Sequence, residues 1–230
     1  SSTEPRKPLD PNRVSSGTTT PTATVGQSAL RTTTDQPLRE EFVFWEDQRP
    51  AEPTEVRVGF LKAGANQNDP EAQFYLGNMY AIGLGVEQSD TLAEKYLKLA
   101  ADAGWKRAQY TLACRYDTGK GVRQSDKDAV KYLILAADGG QEGVPQAKFD
   151  LALRHEDGRG VEQSFERAFQ LYTQIPPFYD LSWNNLGRLH EMGNGTKQSD
   201  EKAIQCYIKA ANKGSTNAFA NLLRMHKADK

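Results

Sequence analysis

Several things are scarce in this chain of 230 residues, and each scarcity closes off a class of function. There are 2 cysteines, Cys114 and Cys206, too few for a disulfide framework, and no C-x-x-C pair offers a zinc clip. Neither sign of charge dominates. Lys plus Arg total 29 against 30 for Asp plus Glu, so no global basic field draws the chain onto nucleic acid. No apolar run approaches the roughly 18 to 20 residues of a membrane-crossing helix, and the first residues are not a basic-then-apolar leader. Nucleic-acid binding and membrane insertion are therefore not expected, while Ser1 as first residue leads us to expect that an upstream piece was removed. What is present suffices for a core: 37% hydrophobic residues together with 19 glycines.

Residues 1–39 hold fourteen Ser or Thr, five Pro and no aromatic residue, too little apolar surface to offset the entropy of ordering. We expect a disordered arm. Arg6, Lys7, Arg13, Arg31 and Arg39 outnumber Glu4, Asp10 and Asp35, a balance resembling either a transit-peptide remnant or a linker. An intracellular location, in the mitochondrion or another organelle after N-terminal processing, is the expectation this raises. The next segment, "EEFVFWEDQ" within 40–53, sets Phe42, Phe44 and Trp45 in a polar frame. These rings either pack on the first helices of the body or form a short docking motif.

The body, 54–230, is periodic. "GLGVEQSD" at 83 returns as "GKGVRQSD" at 119, "GRGVEQSF" at 158 and "GNGTKQSD" at 193, in steps of 36, 39 and 35 residues, a spacing that signals stacked supersecondary units. Each turn follows a matching segment: "AQFYLGNMY" from 72, "AQYTLACRY" from 108, "AKFDLALRH" from 147, "SWNNLGRLH" from 182. A fifth, "AFANLLRMH", begins at 218. A small residue, Leu four later and an aromatic or His eight later form one helical stripe. A second helix follows each turn and ends near glycine. The paired glycines can take left-handed conformations that stop the first helix, and Val86, Val122 and Val161 can fold back as apolar plugs. Ser89 with Asp90, Ser125 with Asp126 and Ser199 with Asp200 can cap the second helix.

The pattern A-x-x-x-L-G-x-x-Y-x-x-G-x-G-V followed by a capped helix ending A-A-x-x-G resembles the Sel-one-like repeat, a relative of the tetratricopeptide repeat. It opens with a half repeat in which Phe60 and Leu61 align with Tyr96 and Leu97, and closes on a truncated helix at 218–228. The resemblance implies an all-α fold, a right-handed α-solenoid whose concave face binds peptides or other proteins. It offers no shared catalytic residues to transfer.

Departures from the repeat mark candidate contact residues. The third repeat has Ile175 and Pro176 in place of the Ala-Ala pair of its siblings, so Pro176-Pro177 must end or kink that helix early. Phe178, Tyr179 and Trp183 follow, either filling the gap or forming a partner hot spot. Arg115 and Arg154 share one first-helix position, and Arg188 and Arg224 share the position before it. They either form a basic strip along the groove or pair with acidic side chains of the next repeat. His155, His190 and His226 fall where Tyr80 and Tyr116 stand in earlier repeats, and we expect aromatic replacements in the packing stripe. Helices 8 to 10 Å apart cannot easily share a zinc ion, whose ligand nitrogens lie about 2 Å from it. A bond between Cys114 and Cys206 is not expected, as bridged Cα atoms must lie within about 7 Å.

Enzyme motifs are isolated fragments. Ser199 to Lys202 fits S-x-x-K but sits in a helix cap, and the G-x-G turns lack a preceding strand and a third glycine. His-Glu at 155 and 190 lacks the second histidine of a zinc protease helix. The expectation is a non-enzymatic scaffold or adaptor, an accessory or assembly subunit with protein partners and no catalytic residue, cofactor or metal. The alternative is an enzyme or cofactor- or metal-handling assembly factor on the same repeats.

Overall fold

The computed structural model describes residues 54–139, 144–177 and 182–228. The arm at 1–39 and the segment at 40–53 lie outside them. Ten helices follow in chain order with no strand among the described residues: α1 Thr54–Asn66, α2 Pro70–Ile82, α3 Asp90–Asp102, α4 Lys106–Thr118, α5 Asp126–Ala137, α6 Pro145–Asp157, α7 Phe165–Thr173, α8 Trp183–Met192, α9 Asp200–Asn212 and α10 Thr216–Ala228. Each packs against its chain neighbours, so α2/α3, α4/α5, α6/α7 and α8/α9 are hairpins laid one on the next, with α1 and α10 as single helices at either end. The expected all-α stack of helical hairpins is what forms.

Several residues of the repeated turn have distinct tasks, and the turn after α4 shows them. Gly119 adopts φ 74° and its N–H closes the helix on the Arg115 carbonyl, a conformation in which a Cβ costs about 1 to 2 kcal/mol. Gln124 folds back to donate through Nε2 to the Asp117 carbonyl at 2.8 Å, and the Ser125 N–H donates to the Tyr116 carbonyl at 2.9 Å. Two of the carbonyls that α4 leaves open are thereby satisfied. Ser125 Oγ then accepts the Asp128 N–H, capping α5. Ser89 and Ser199 cap α3 and α9 alike, and so does Ser164 on α7, where Phe165 has replaced the acid. Val86 and Val161 pack on the core as plugs.

Small residues set the spacing within a hairpin. A Cβ on Gly77 of α2 would stand 2.9 Å from Leu97 Cγ of α3, and one on Gly187 of α8 only 2.6 Å from the Tyr207 ring of α9. Ala100, Ala136 and Ala210 are wholly buried where second helices meet their neighbours. One continuous core runs from Val58 to Leu151. Beyond it the apolar interior divides into two smaller clusters, Ala152 to Cys206 and Ala203 to Ala218. The division falls beside the shortened helix: α7 ends at Thr173, and Ile175 is buried in the second cluster just ahead of Pro176.

Candidate functional site

The second glycine of each turn marks where consecutive hairpins touch. A Cβ on Gly121 would overlap the Asp90 carboxylate and the Arg115 guanidinium, and one on Gly195 the backbone of Phe165. On Gly160 it would come within 2.8 Å of the Asp126 carbonyl oxygen. Asp90, Asp126 and Phe165 each open the second helix of the preceding hairpin. The turn therefore reverses the chain and also seats the previous hairpin's helix N-terminus against itself.

The four arginines do not form an open basic strip; they hold these seams. Arg115, 4% exposed, donates to Asp90 Oδ1 at 2.8 Å. Arg154, 6% exposed, meets Asp117 at 2.7 Å and Asp126 at 3.1 Å, and Arg159 joins the same two carboxylates. Arg188 pairs with Glu156, and Arg224 with Glu191 at 2.7 Å. In every case the acid belongs to the preceding hairpin, not the following one. Arg188 and Arg224 keep 34% and 55% of their side chains in solvent, so they alone of the four still present charge outward.

The acids at the last two seams accept a second donor that the sequence did not single out. Tyr172 Oη donates to Glu156 at 2.8 Å and accepts from Asn185 Nδ2 at 3.0 Å. Tyr207 Oη donates to Glu191 at 2.8 Å. The Arg224 hydrogen bond holds the Glu191 pKa below the usual carboxylate range, while burial raises Tyr172 and Tyr207. One signal was available: Tyr172 and Tyr207 stand where Leu97 and Leu133 stand in the earlier repeats, and Glu156 and Glu191 each follow a stripe histidine. A hydroxyl placed at a core position needs a partner.

The histidines behave as packing residues where a second helix covers them. His190 lies edge-on to Phe169 with ring centroids 5.2 Å apart, and burial lowers its pKa against the Lys197 carbonyl. His155 is buried with Nδ1 facing the Glu162 carbonyl at 3.2 Å. His226 departs from the expectation: it is exposed, because no described helix follows α10 to cover it. Among the described residues no group of three His, Cys, Asp or Glu could hold a metal ion, and both cysteines are buried without a disulfide between them.

Of the aromatic candidates, Trp183 is half-buried between the second and third apolar clusters, with the Lys209 ammonium 4.2 Å above its ring. It fills space around the shortened α7. Phe178 and Tyr179, like Phe42, Phe44 and Trp45, lie outside the described residues. Asp150 was also unforeseen. It accepts from Tyr110 Oη at 3.0 Å across the α4/α6 seam, and burial of its carboxyl pushes its pKa up to about 6.

The Sel1 repeat family model matches at residues 70–105, 106–141, 145–174 and 184–215, each a hairpin of the stack and together more than half of the chain. The chain belongs to the Sel1 repeat family. Such repeats generally act in protein–protein interaction. The stack is similar to the crystal structure of a Sel1 repeat protein from Oxalobacter formigenes, with a TM-score of 0.68 and 29% identity over 77% of this chain and 51% of that one. It is equally similar, at a TM-score of 0.68 and 27% identity, to a protective antigen of uropathogenic Escherichia coli strains that displays an SLR fold, over 75% of this chain and 36% of that one. The chain thus spans about a third to a half of the length of these solved relatives. No curated protein matches it. Among the described residues no helix is long and apolar enough to cross a membrane.

Proposed function

We propose that this Sel1 repeat chain is a non-enzymatic scaffold, an adaptor or accessory subunit that presents its hairpins to another protein in a larger assembly. One observation carries the reading. The second helices expose large apolar side chains at matching positions, Leu99 and Leu135 at one and Ile134 and Ile208 at its neighbour, between 39% and 51% exposed. Side chains repeated this way without cover suit a protein surface. The conspicuous charged and hydroxyl groups, by contrast, are engaged in contacts within and between hairpins. The part-exposed Arg188 and Arg224 would add charge at the rim of such a contact.

Mass spectrometry of the native complex tests this. A stoichiometric protein partner that is lost on Leu135→Glu, with the melting temperature unchanged, supports the scaffold. A retained metal ion or organic cofactor without a protein partner supports the enzyme or cofactor-handling alternative instead.

A further inference from the structure

The first half repeat carries an aromatic seat that no described residue fills. In the first two complete repeats a first-helix ring stacks on a second-helix ring sixteen residues later: Tyr80 on Tyr96 and Tyr116 on Tyr132, each with centroids 5.7 Å apart and planes within 4° of parallel. Phe60 of α1 stands one 36-residue step before Tyr96, and its helix is otherwise built like its siblings, since Leu61 and Ala65 are buried as Leu97 and Ala101 are. Yet Phe60 is 67% exposed, has no ring partner among the described residues, and Val56 one turn earlier is 45% exposed.

We propose that this seat is covered by Phe44 of the same chain. Phe44 lies outside the described residues, but the register places it: it falls 36 residues before Tyr80 and sixteen before Phe60, the separation of the two observed ring pairs. Val43 likewise falls 36 residues before the fully buried Met79. The register lapses upstream, where Glu40 and Glu41 take the positions of Leu76 and Gly77, so the occupant is a short aromatic segment and not a complete first helix.

A second copy fits the seat less well. Its α10 is a first helix lacking a described second helix, and docking it in repeat register would bring Leu223 to the position of Gly77 and Gly187. The complete repeats hold only glycine or alanine there, Ala113 and Ala152 being buried at that position, and a Cβ on Gly77 or Gly187 would come within 2.9 Å of Leu97 and 2.6 Å of Tyr207 respectively. A leucine at that place excludes the packing.

Thermal melts of the whole chain decide the matter. Phe44→Ala and Phe60→Ala each lower the unfolding midpoint by about 2 to 4 °C, as an aromatic pair should in a chain of this size. The double variant falls no further than the lower of the two singles, and Phe44→Tyr, which restores the sibling residue, melts like the parent. Additive shifts or a silent Phe44→Ala overturn the proposal. A fall in sedimentation mass on Phe60→Ala, which would assign the seat to a second copy, overturns it as well.

Discussion

Between the second and third hairpins, Arg154 reaches Asp126 at the first turn of the preceding second helix and Asp117 beside it. Between the third and fourth, Arg188 sits one position earlier in its helix and reaches Glu156 on the preceding first helix, where Tyr172 already donates. A shift of one residue turns a side chain about 100° around a helix, which exchanges one neighbour for the other. The early seams couple a buried guanidinium to a helix N-terminus, where the carboxylate also favours the positive end of the dipole. The late seams couple a partly exposed guanidinium to a carboxylate shared with a tyrosine. The apolar core follows the same division, being continuous through Leu151 and split beyond it. Where apolar continuity is lost, a tyrosine hydroxyl and a shared glutamate join the hairpins.

Removing the shared acid should break the late seam most severely. Glu156→Ala leaves the buried Tyr172 Oη without its acceptor and Arg188 without its acid, and urea unfolding should show a loss of about 2 to 3 kcal/mol. At the early seam the turn glycine matters next. Gly119→Ala meets only the Gln124 Cβ at 3.2 Å and should cost about 1 to 2 kcal/mol, whereas Gly121→Ala must also displace the Arg115 and Asp90 pair and should cost more. Equal losses for the two glycines would show that the second is not a seam residue.

Trimming the arginines sharpens the contrast by burial. Arg115→Ala should cost about 2 kcal/mol, and the more exposed Arg224→Ala under about 1 kcal/mol, in the same denaturation experiment.

The smallest effects separate by pH. Asp150 has a raised pKa in the folded chain, so the native state binds the extra proton, and its contribution is complete below the ordinary aspartate value near 4 and lost as pH rises through about 6. Asp150→Asn should flatten that fall in stability. Glu191, depressed chiefly by Arg224, contributes above the ordinary glutamate value and is lost as pH falls through its own lower one. Glu191→Gln should flatten the acid side alone. Urea titrations between pH 3 and 7 would show whether the two slopes are opposed.

Much of the fold was legible in the chain itself. The serine caps, the left-handed glycines and the early end of α7 at Thr173 ahead of Pro176 all follow from local rules acting within a few residues. The seams were only half legible. The positions of Arg115, Arg154, Arg188 and Arg224 stood in register, but a shared position does not say which neighbour a side chain meets. Asp90 and Asp126 were readable as helix-end acids and not as arginine acceptors. Ser164 was hidden by Phe165 in the place of the usual acid, and Asp150 by lying among residues of an ordinary helical stripe.

The order and length of the helices, the turn that joins each pair and the small positions where they close up belong to the sequence, because each depends on backbone conformations and contacts that recur with the repeat. The pairing of Glu156 with Arg188, the bond from Asn185 to Tyr172 and the burial of Arg115 against Asp90 were decided only when hairpins stacked. Those contacts join residues 13 to 32 positions apart, and the way one hairpin rests on another selects them.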